Sequence, residues 1–405
     1  MLRHLRIKSQ VKWNRLKFMW RNIALLFGTM ALLLVAACSS LQSSDYFPNM
    51  LTGSLPQTPQ DVALLLPAQG QWTQASNAVR NGFFSAYYAD ESSSRPTTIH
   101  VYDTTQKGVV SAYQQAVAEG ADVVVGPLTK SDVQALANSG KVSVPTLALN
   151  SVEGSHSRHL MQYSLSPTDE AEQAAQKGWA DGHKTALVIT PTGASGQAVR
   201  QVFTSAWQSQ GGRVVGTLQY SPQTNLTKGM AQLLNFSQDK VPDPKHPGKM
   251  IPNPQRRQDA DMIFLSASPT TARLIKPLLL FYYAGDIPVY ATSSVYGGAG
   301  SSTQDLSGIR FCDMPWVLEN TPTIASEKAK ARKLFPNGSS QYSKLYAMGL
   351  DAYGIVGHLN ELNSSSSATL PGMTGVISMQ DGVVHRQLDW AIIQGGRVQL
   401  LNTAQ

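Results

Sequence analysis

From residue 61 onward, short apolar runs alternate with amphipathic segments, and this alternation restricts the chain to very few architectures. Continuous apolar runs are typical of strands that are buried on both faces of a parallel sheet. Strict alternation of such strands with helices predicts a parallel sheet with helices packed on both faces. The first half of the pattern predicts strands at 62–67, 98–102, 121–125 and 144–149, and helices at 76–88, 108–118 and 131–138.

The same rhythm restarts after Asp169 and predicts a second α/β unit. Two such units predict an α/β fold with two lobes, each a parallel sheet flanked by helices, and a cleft between them. The second unit is predicted to have helices at 170–179, 197–209, 227–236 and 270–283, and strands at 185–190, 214–220, 261–266 and 288–291. The last segment, 372–401, is predicted to form two or three strands.

Polar side chains follow the predicted strands and are candidates for lining the cleft. Ligands of open parallel sheets sit outside the carboxyl ends of the strands. Asp103 is the one charged residue of this group, so the cleft fits a neutral polar ligand such as a sugar, or no ligand. Turns and helix caps use the same residue types and are the alternative for each position. The candidates are Gln69, Asp103, Thr129, Asn150, Thr192, Ser195, Ser266 and Ser268.

The rhythm breaks between residues 240 and 257, where five prolines argue against regular structure. The segment is also basic, and its two interpretations are a solvated insertion and a loop that docks on an acidic partner surface. The prolines are Pro242, Pro244, Pro247, Pro252 and Pro254. The docking candidates are Lys245, Lys249, Arg256 and Arg257.

Motifs of catalysis and of metal or phosphate binding are missing from the sequence. It contains no His-Glu-x-x-His, no Cys-x-x-Cys and no phosphate-binding P-loop motif. The run Gly193-Ala194-Ser195-Gly196 is not a Gly-x-Ser-x-Gly elbow, and it fits the start of a helix better. The eight histidines do not cluster at ligand spacing. We therefore expect no enzymatic activity, no metal and no cofactor.

The first 37 residues have the pattern of a secretory signal. Seven Lys and Arg residues and no acid precede an apolar run at 23–35, which is too short to span a bilayer comfortably. The run ends in Val35-Ala36-Ala37-Cys38. Small residues before a cysteine resemble the box at which bacterial lipoproteins are cleaved and acylated. We expect a signal peptide at 1–37, lipid on Cys38 and a flexible tether to residue 60; a chance cysteine or an uncleaved anchor is the alternative.

Removal of this leader changes the charge of the protein. The full chain carries 33 Lys and Arg against 26 Asp and Glu, and without the seven leader bases the two signs balance at 26 each. The net charge is then zero, so the chain gives no sign of a nucleic-acid partner. With Cys38 lipidated, Cys312 has no intrachain partner, and its apolar neighbours predict a buried thiol rather than a reactive one.

Several motifs resemble a known family of lipoproteins. GP at 126–127 and SLSP at 164–167, with the two-lobe rhythm, are similar to type I periplasmic binding proteins. More specific are DADMIFL at 259–265, ARLIKP at 272–277, IPVYATS at 287–293 and FCDMPW at 311–316. These resemble the LppC-type lipoproteins, also called the LpoA family, which are outer-membrane activators of class A penicillin-binding proteins.

The resemblance implies a lipid-anchored protein that faces the periplasm from the outer membrane and stimulates the transpeptidase of a peptidoglycan synthase. Ser39 after Cys38 agrees with export to the outer membrane. By analogy, lobe one is about 61–164 with 294–363, and lobe two is about 165–293 with 364–405. Full-length members carry a helical-repeat domain ahead of this fold, and in this chain only the tether is expected there. A lipid-anchored small-molecule receptor for a transporter is the alternative function.

Overall fold

The computed structural model describes residues 61–91, 98–152, 154, 159–298, 302–334 and 340–401. The predictions of a signal peptide, an acylated Cys38 and a tether concern residues 1–60, which lie outside the described residues. Among the residues that are described, no helix is both long enough and apolar enough to cross a membrane.

The first unit follows the predicted order of elements. Ala63 and Leu65 are buried on one face of the sheet against helices, as expected for a strand covered on both sides. Its elements are β1 (Asp61–Leu66), α1 (Thr73–Ala89), β2 (Thr98–Asp103), α2 (Val109–Ala118), β3 (Val123–Val125), α3 (Lys130–Asn138), β4 (Thr146–Ala148) and β5 (Leu160–Gln162).

The second unit also alternates strand and helix, and side-chain caps fix where two of its helices begin. Ser166 accepts a hydrogen bond from Thr168 N and starts α4, and Ser268 accepts from Thr271 N and starts α7. The elements are α4 (Pro167–Ala180), β6 (Thr185–Pro191), α5 (Ala194–Ser209), β7 (Arg213–Tyr220), α6 (Leu226–Leu233), β8 (Ser237–Pro242), β9 (Met250–Gln255), β10 (Met262–Leu265), α7 (Pro269–Phe281) and β11 (Val289–Ala291).

The C-terminal third adds five strands after residue 369, so the prediction of two or three strands was wrong. The pairs Asp381–Gly382 and Gly395–Gly396 form tight turns that split the segment into hairpins. Its elements are β12 (Ile309–Asp313), α8 (Pro315–Leu318), α9 (Pro322–Leu334), α10 (Ser340–Gly357), α11 (Leu359–Ser364), β13 (Leu370–Gly372), β14 (Gly375–Gln380), β15 (Val383–Gln387), β16 (Asp389–Gln394) and β17 (Arg397–Leu400).

The strands form two large sheets and one two-stranded ribbon. The first sheet has the order β13-β14-β15-β5-β4-β3-β1-β2, and the second has the order β17-β16-β12-β11-β10-β6-β7. Strands β1 to β5 pair in parallel, as do β6, β7 and β10 to β12. Strands β13 to β15 and β16 to β17 add antiparallel pairs at one edge of each sheet, and the predicted α/β class, with two mainly parallel sheets flanked by helices, is confirmed.

The predicted boundaries of the lobes need two corrections. Strand β12 pairs in parallel with β11 and lies in the second sheet, although residues 294–363 were expected in lobe one. Strands β13 to β15 lie in the first sheet, although residues 364–405 were expected in lobe two. The chain therefore changes sheets after β5, after β12 and at Leu388, because its last hairpins are shared between the two sheets.

The proline-rich segment is not irregular, which corrects the sequence-based expectation. Strands β8 and β9 pair antiparallel, with Lys240 opposite Pro252 and Pro242 opposite Met250. Asp243 N donates to Lys249 O at 2.7 Å, and alternation from this pair places Pro242, Pro252 and Pro254 at non-hydrogen-bonded positions. The ribbon accommodates proline there, because no ladder hydrogen bond needs the missing N–H.

Candidate functional site

The predicted cleft residues do lie where strands end. Gln69, Thr129 and Asn150 follow strands of the first sheet, and Asp103 is the last residue of β2. Thr192, Ser195, Ser266 and Ser268 follow strands of the second sheet. The structure thus places four of them at or beyond the carboxyl ends of each sheet's strands. That they line a binding cleft stays a prediction.

Several of these side chains already form hydrogen bonds that stabilise turns or cap helices. Burial alone would raise the pKa of Asp103, but its Oδ1 accepts from the Thr105 hydroxyl at 2.5 Å, from Ala68 N at 3.0 Å and from Thr105 N at 2.8 Å, and the hydrogen bonds to this carboxylate together lower its pKa. Thr129 caps α3 by accepting from Asp132 N at 3.1 Å. Asn150 Nδ2 donates to Leu128 O at 3.0 Å. The turn and cap interpretation therefore describes these three residues, and Ser268 likewise caps α7.

The remaining four candidates differ in exposure. Gln69, Thr192 and Ser195 are exposed, and Ser195 stands in the first turn of α5 without capping it. Ser266 is buried, and its carbonyl accepts from the Tyr220 hydroxyl at 3.0 Å. Of the eight side chains, those of Gln69, Thr192 and Ser195 are exposed and neither cap a helix nor stabilise a turn.

A charged network with three buried members and a half-buried lysine joins α4, β12 and α10, and sequence reasoning missed it. Lys344 on α10 donates to both carboxylate oxygens of Asp313, at 2.8 and 2.9 Å, and to Ser293 Oγ at 3.3 Å. Glu170 on α4 accepts from Ser293 N at 2.7 Å and from Ser293 Oγ at 2.8 Å. We call Glu170, Ser293, Asp313 and Lys344 the crossing network, because it lies where the chain changes sheets after β12.

Burial dominates the electrostatics of this network. It raises the pKa of Glu170 to about 7, although Lys344 and the bonds from Ser293 favour the carboxylate. It also raises the pKa of Asp313 against the opposing effect of Lys344. Burial raises the pKa of Cys312 well above its usual value, and the predicted burial of this thiol is confirmed. A protonated thiol of this kind is a poor nucleophile.

A second cluster fixes the turn between β13 and β14. Asp351 on α10 accepts from Met373 N and Thr374 N, both at 2.7 Å, and from Thr374 Oγ1 at 2.6 Å. Burial raises the pKa of Asp351 to about 6 in spite of these donors. Arg386 is buried beside it and reaches Asp169 Oδ2 at 3.4 Å. The Tyr163 hydroxyl also belongs to this cluster, with Asp351 and Thr374 as its partners. Tyr163 lies 188 or more residues from these partners in the sequence, so no local pattern indicates the cluster.

A groove of about 480 Å³, lined by both polar and apolar surface, opens beside this cluster, between α4 and strands β14 to β16. Its lining combines both charge signs, with Glu172, Lys177 and His385 among the contributing residues. Within the described ranges, no group of His, Cys, Asp or Glu is arranged to hold a metal ion.

Glu170 makes the stability of the fold depend on pH. Its pKa is about 7 in the folded protein and about 4.5 in a free side chain, so the folded state binds the proton more tightly. Stability is therefore highest below the lower value and falls as the pH rises from about 4.5 to about 7. Glu170→Gln removes the buried charge and keeps one oxygen that can accept from Ser293 N, while its amide nitrogen faces Ser293 Oγ as a donor. We expect its free energy of unfolding at pH 8 to exceed that of the wild type by about 2 kcal/mol.

Urea unfolding between pH 4.5 and pH 8 measures this difference. Glu172→Gln on the same helix is the matched control, because Glu172 is exposed, and its curve should follow that of the wild type. Parallel curves for Glu170→Gln and the wild type across this range would show that Glu170 is ionised throughout.

The four basic docking candidates divide into two pairs. Arg256 Nη2 contacts both oxygens of Asp286, at 2.8 and 2.7 Å, and Arg257 forms a similar pair with Asp259. Both guanidinium groups also donate to backbone carbonyls and are nearly buried, so they are unavailable for docking. Lys245 and Lys249, by contrast, are exposed at the tip of the ribbon.

The chain is similar in sequence to a family of lipoproteins and to a curated relative. The family profile "LppC putative lipoprotein" matches residues 42–396. Penicillin-binding protein activator LpoA from Photobacterium profundum is 32% identical over 342 residues. That match covers 82% of this chain and 55% of the relative, so the chain spans about half the length of the curated relatives it matches.

Solved structures share the fold. The C-domain of LpoA from Haemophilus influenzae, described as a regulator of PBP1A, aligns with a TM-score of 0.70 and 27% identity, covering 84% of this chain and 99% of the domain. A "putative branched-chain amino acid ABC transporter" from Chromobacterium violaceum aligns with a TM-score of 0.62 and 28% identity, covering 82% of this chain and 99% of that protein. The predicted binding-protein-like fold is confirmed by both alignments.

Proposed function

Because the chain belongs to the LppC family of lipoproteins, we propose that it binds a class A penicillin-binding protein and activates its peptidoglycan cross-linking. The observation that carries the proposal is the match to the LpoA C-domain, a regulator of PBP1A, of which 99% is covered. Almost the whole length of that regulatory domain thus has a counterpart in this chain.

The proposed place of action is the periplasmic side of the outer membrane, with Cys38 as the lipid attachment site. Acyl chains on that cysteine would hold the domain at the membrane, since two or more chains give stable anchoring. The chain itself is proposed to regulate and not to catalyse, and nucleic acid is not a proposed partner. The buried thiol of Cys312 and the balanced charge of residues 38–405 support this proposal.

A receptor for a small molecule is the second candidate. It is favoured by the likeness to the Chromobacterium violaceum transporter protein and by the exposed Gln69, Thr192 and Ser195 at the strand ends. Such a receptor needs a ligand that bridges both sheets and pulls them together. The two functions therefore differ in what the chain retains: a protein of the cell envelope or a metabolite.

We expect the full chain, purified in detergent, to retain the class A penicillin-binding protein of the same bacterium in a pull-down. Added to that purified synthase and its lipid-linked substrate, it should raise the fraction of cross-linked peptides in the product. Synthase treated with penicillin is the control, because acylation of its transpeptidase removes cross-linking. Failure to retain the synthase, together with a large thermal stabilisation by an amino acid or sugar, would favour the receptor.

A further inference from the structure

Exposed apolar side chains are concentrated at one corner of the second unit. Ten large hydrophobic residues are exposed in the described part of the chain, and four of them lie within ten positions. These four, Leu274, Leu280, Phe281 and Tyr283, are each between 57% and 62% exposed, and we call them the α7 patch. Leu274 and Phe281 are two turns apart and share a helix face. Single exposed apolar residues need no explanation, but a cluster of this kind indicates an interaction site.

The backbone conformation of Tyr283 is strained, and this is a second observation that points to a function for the α7 patch. Tyr283 has a φ of 58°, which is a left-handed conformation that is unfavourable for residues with a side chain. Ala284 N donates to Leu279 O at 2.7 Å and Tyr283 N donates to Leu280 O at 3.1 Å, which is the Schellman arrangement that usually has glycine at this position. A tyrosine kept in such a conformation with its ring exposed indicates a function for the ring.

The α7 patch adjoins the base of the β8–β9 ribbon. The ring of Tyr283 stacks on Phe236, with centroids 6.4 Å apart and an interplanar angle of 11°. Arg256, just after β9, donates from Nε to Tyr283 O at 2.6 Å and pairs with Asp286. The ribbon therefore supports the strained turn, and the two surfaces are continuous at this point.

The ribbon, whose base adjoins the apolar patch, carries positive charge along its length and at its tip. Lys240, Lys245 and Lys249 are exposed, and none forms an ion pair within the residues that the structure describes. The nearby carboxylates form hydrogen bonds with other groups: Asp243 with Lys245 N and His246, and Asp239 with the Ser237 hydroxyl. Lys240 also shares its exposed ribbon face with Met250 and the prolines opposite. The complementary surface is apolar and bordered by carboxylates.

We propose that the α7 patch and the lysines of the ribbon form the surface on which the class A synthase docks, through apolar side chains bordered by carboxylates. This inference rests on the proposed function and assigns its contact site. Aromatic anchors dominate the affinity of protein interfaces, and lysines at the rim mainly accelerate encounter. Phe281 and Tyr283 are then the anchors, and the ribbon lysines steer the partner.

Tyr283→Gly separates docking from folding. Glycine removes the ring but suits the left-handed turn, so the melting temperature of the full chain should stay equal or rise. Affinity for the purified synthase should fall at least about tenfold, as expected for the loss of an interface anchor. Phe281→Ser should weaken binding in the same way. Tyr88→Ser on α1 is the matched control, since Tyr88 is a tyrosine with 74% exposure in the first unit, and its affinity should equal that of the wild type.

Replacing Lys240, Lys245 and Lys249 together with serine tests the charged part of the surface. Association with the synthase should slow at low ionic strength and approach the wild-type rate at high salt, because salt screens exposed charges. Binding is measured by surface plasmon resonance with the full chain in detergent. An unchanged association rate at low salt would contradict the assigned role of the lysines.

The outcomes distinguish the docking site from the function. If the wild type binds the synthase and Tyr283→Gly and Phe281→Ser bind equally well, the docking site is wrong while the proposed function stands. If the wild type does not bind the synthase, the function fails and the docking site fails with it. If wild-type chain binds vesicles of phosphatidylethanolamine and phosphatidylglycerol and both variants do not, the patch is a membrane surface and the proposal is overturned. Dissociation of a wild-type dimer by the same changes would overturn it in favour of self-association.

Discussion

Replacing Gly349 with leucine is expected to destabilise the protein by about 3 kcal/mol or more, because helices α1 and α10 are too close to admit a side chain there. A Cβ atom on Gly349 would overlap the Val79 carbonyl oxygen, and one on Gly82 of the facing helix would overlap the Tyr346 carbonyl oxygen. The obstacle in both cases is backbone, which cannot move aside unless the helices separate. The two glycines thus allow close contact from both sides.

The same helix offers a matched control for this substitution. Gly357, the last residue of α10, has no atom within 4 Å of an added Cβ and no positive φ. Gly357→Leu makes the same chemical change, and its stability should stay within about 0.5 kcal/mol of the wild type. Urea unfolding of both variants measures the difference. Equal midpoints for Gly349→Leu and Gly357→Leu would mean that α1 and α10 are less closely packed than described.

The close packing of α10 matters beyond stability, because this helix carries Lys344 and Asp351. Lys344 reaches Asp313 at the end of β12, and Asp351 holds the turn between β13 and β14. A shift of α10 away from α1 therefore displaces groups at two places where elements of both sheets meet. For Gly349→Leu protein that still folds, we infer weaker binding of any partner that contacts both units.

The overall fold follows from local pattern, since burial on both faces requires continuous apolar strands. Residues 62–67 and 185–190 were predicted as strands, and β1 and β6 begin and end within one residue of those limits. The assignment of β12 to β15 to the wrong lobes shows the limit of this reasoning. The sheet that a strand joins depends on its neighbouring strand. The sequences at 309–313 and 289–291 do not indicate which strand that neighbour is.

The candidate site was less predictable, because its groups are remote in sequence. Positions at strand ends were predicted correctly, but the same residue types serve as caps, and only the structure distinguishes Thr129 as a cap from the exposed Thr192. Arg256 and Arg257 looked available because they followed lysines in a polar segment. Their partners Asp286 and Asp259 were visible in the sequence, but the pairing of Arg256 with Asp286 depends on the turn after α7.

Asp351→Ala is expected to have the largest effect of the changes considered, about 4 kcal/mol, because it leaves three donors without an acceptor. Met373 N, Thr374 N and the Thr374 hydroxyl all donate to this carboxylate within a buried turn. Each buried donor left unsatisfied costs about 1–3 kcal/mol, and the lost volume adds to this. The destabilisation should be larger at pH 5 than at pH 8. Burial raises the pKa of Asp351 from 3.8 to about 6, so the folded state binds the proton more tightly than the unfolded state, and the carboxyl stabilises the fold more at the lower pH.

Asp351→Asn distinguishes the loss of acceptors from the loss of charge. Asparagine keeps one oxygen for either Met373 N or Thr374 N, so its stability should lie between those of wild type and Asp351→Ala. Asp305→Ala, which removes an exposed carboxylate, is the control and should cost less than about 0.5 kcal/mol. The turn also carries Met373 O, which accepts from Trp316 N at 2.9 Å where the chain leaves the second sheet. If Asp351→Ala unfolds with the wild-type midpoint, the buried turn does not depend on this carboxylate, and α10 fixes the crossing only through Lys344 and Asp313.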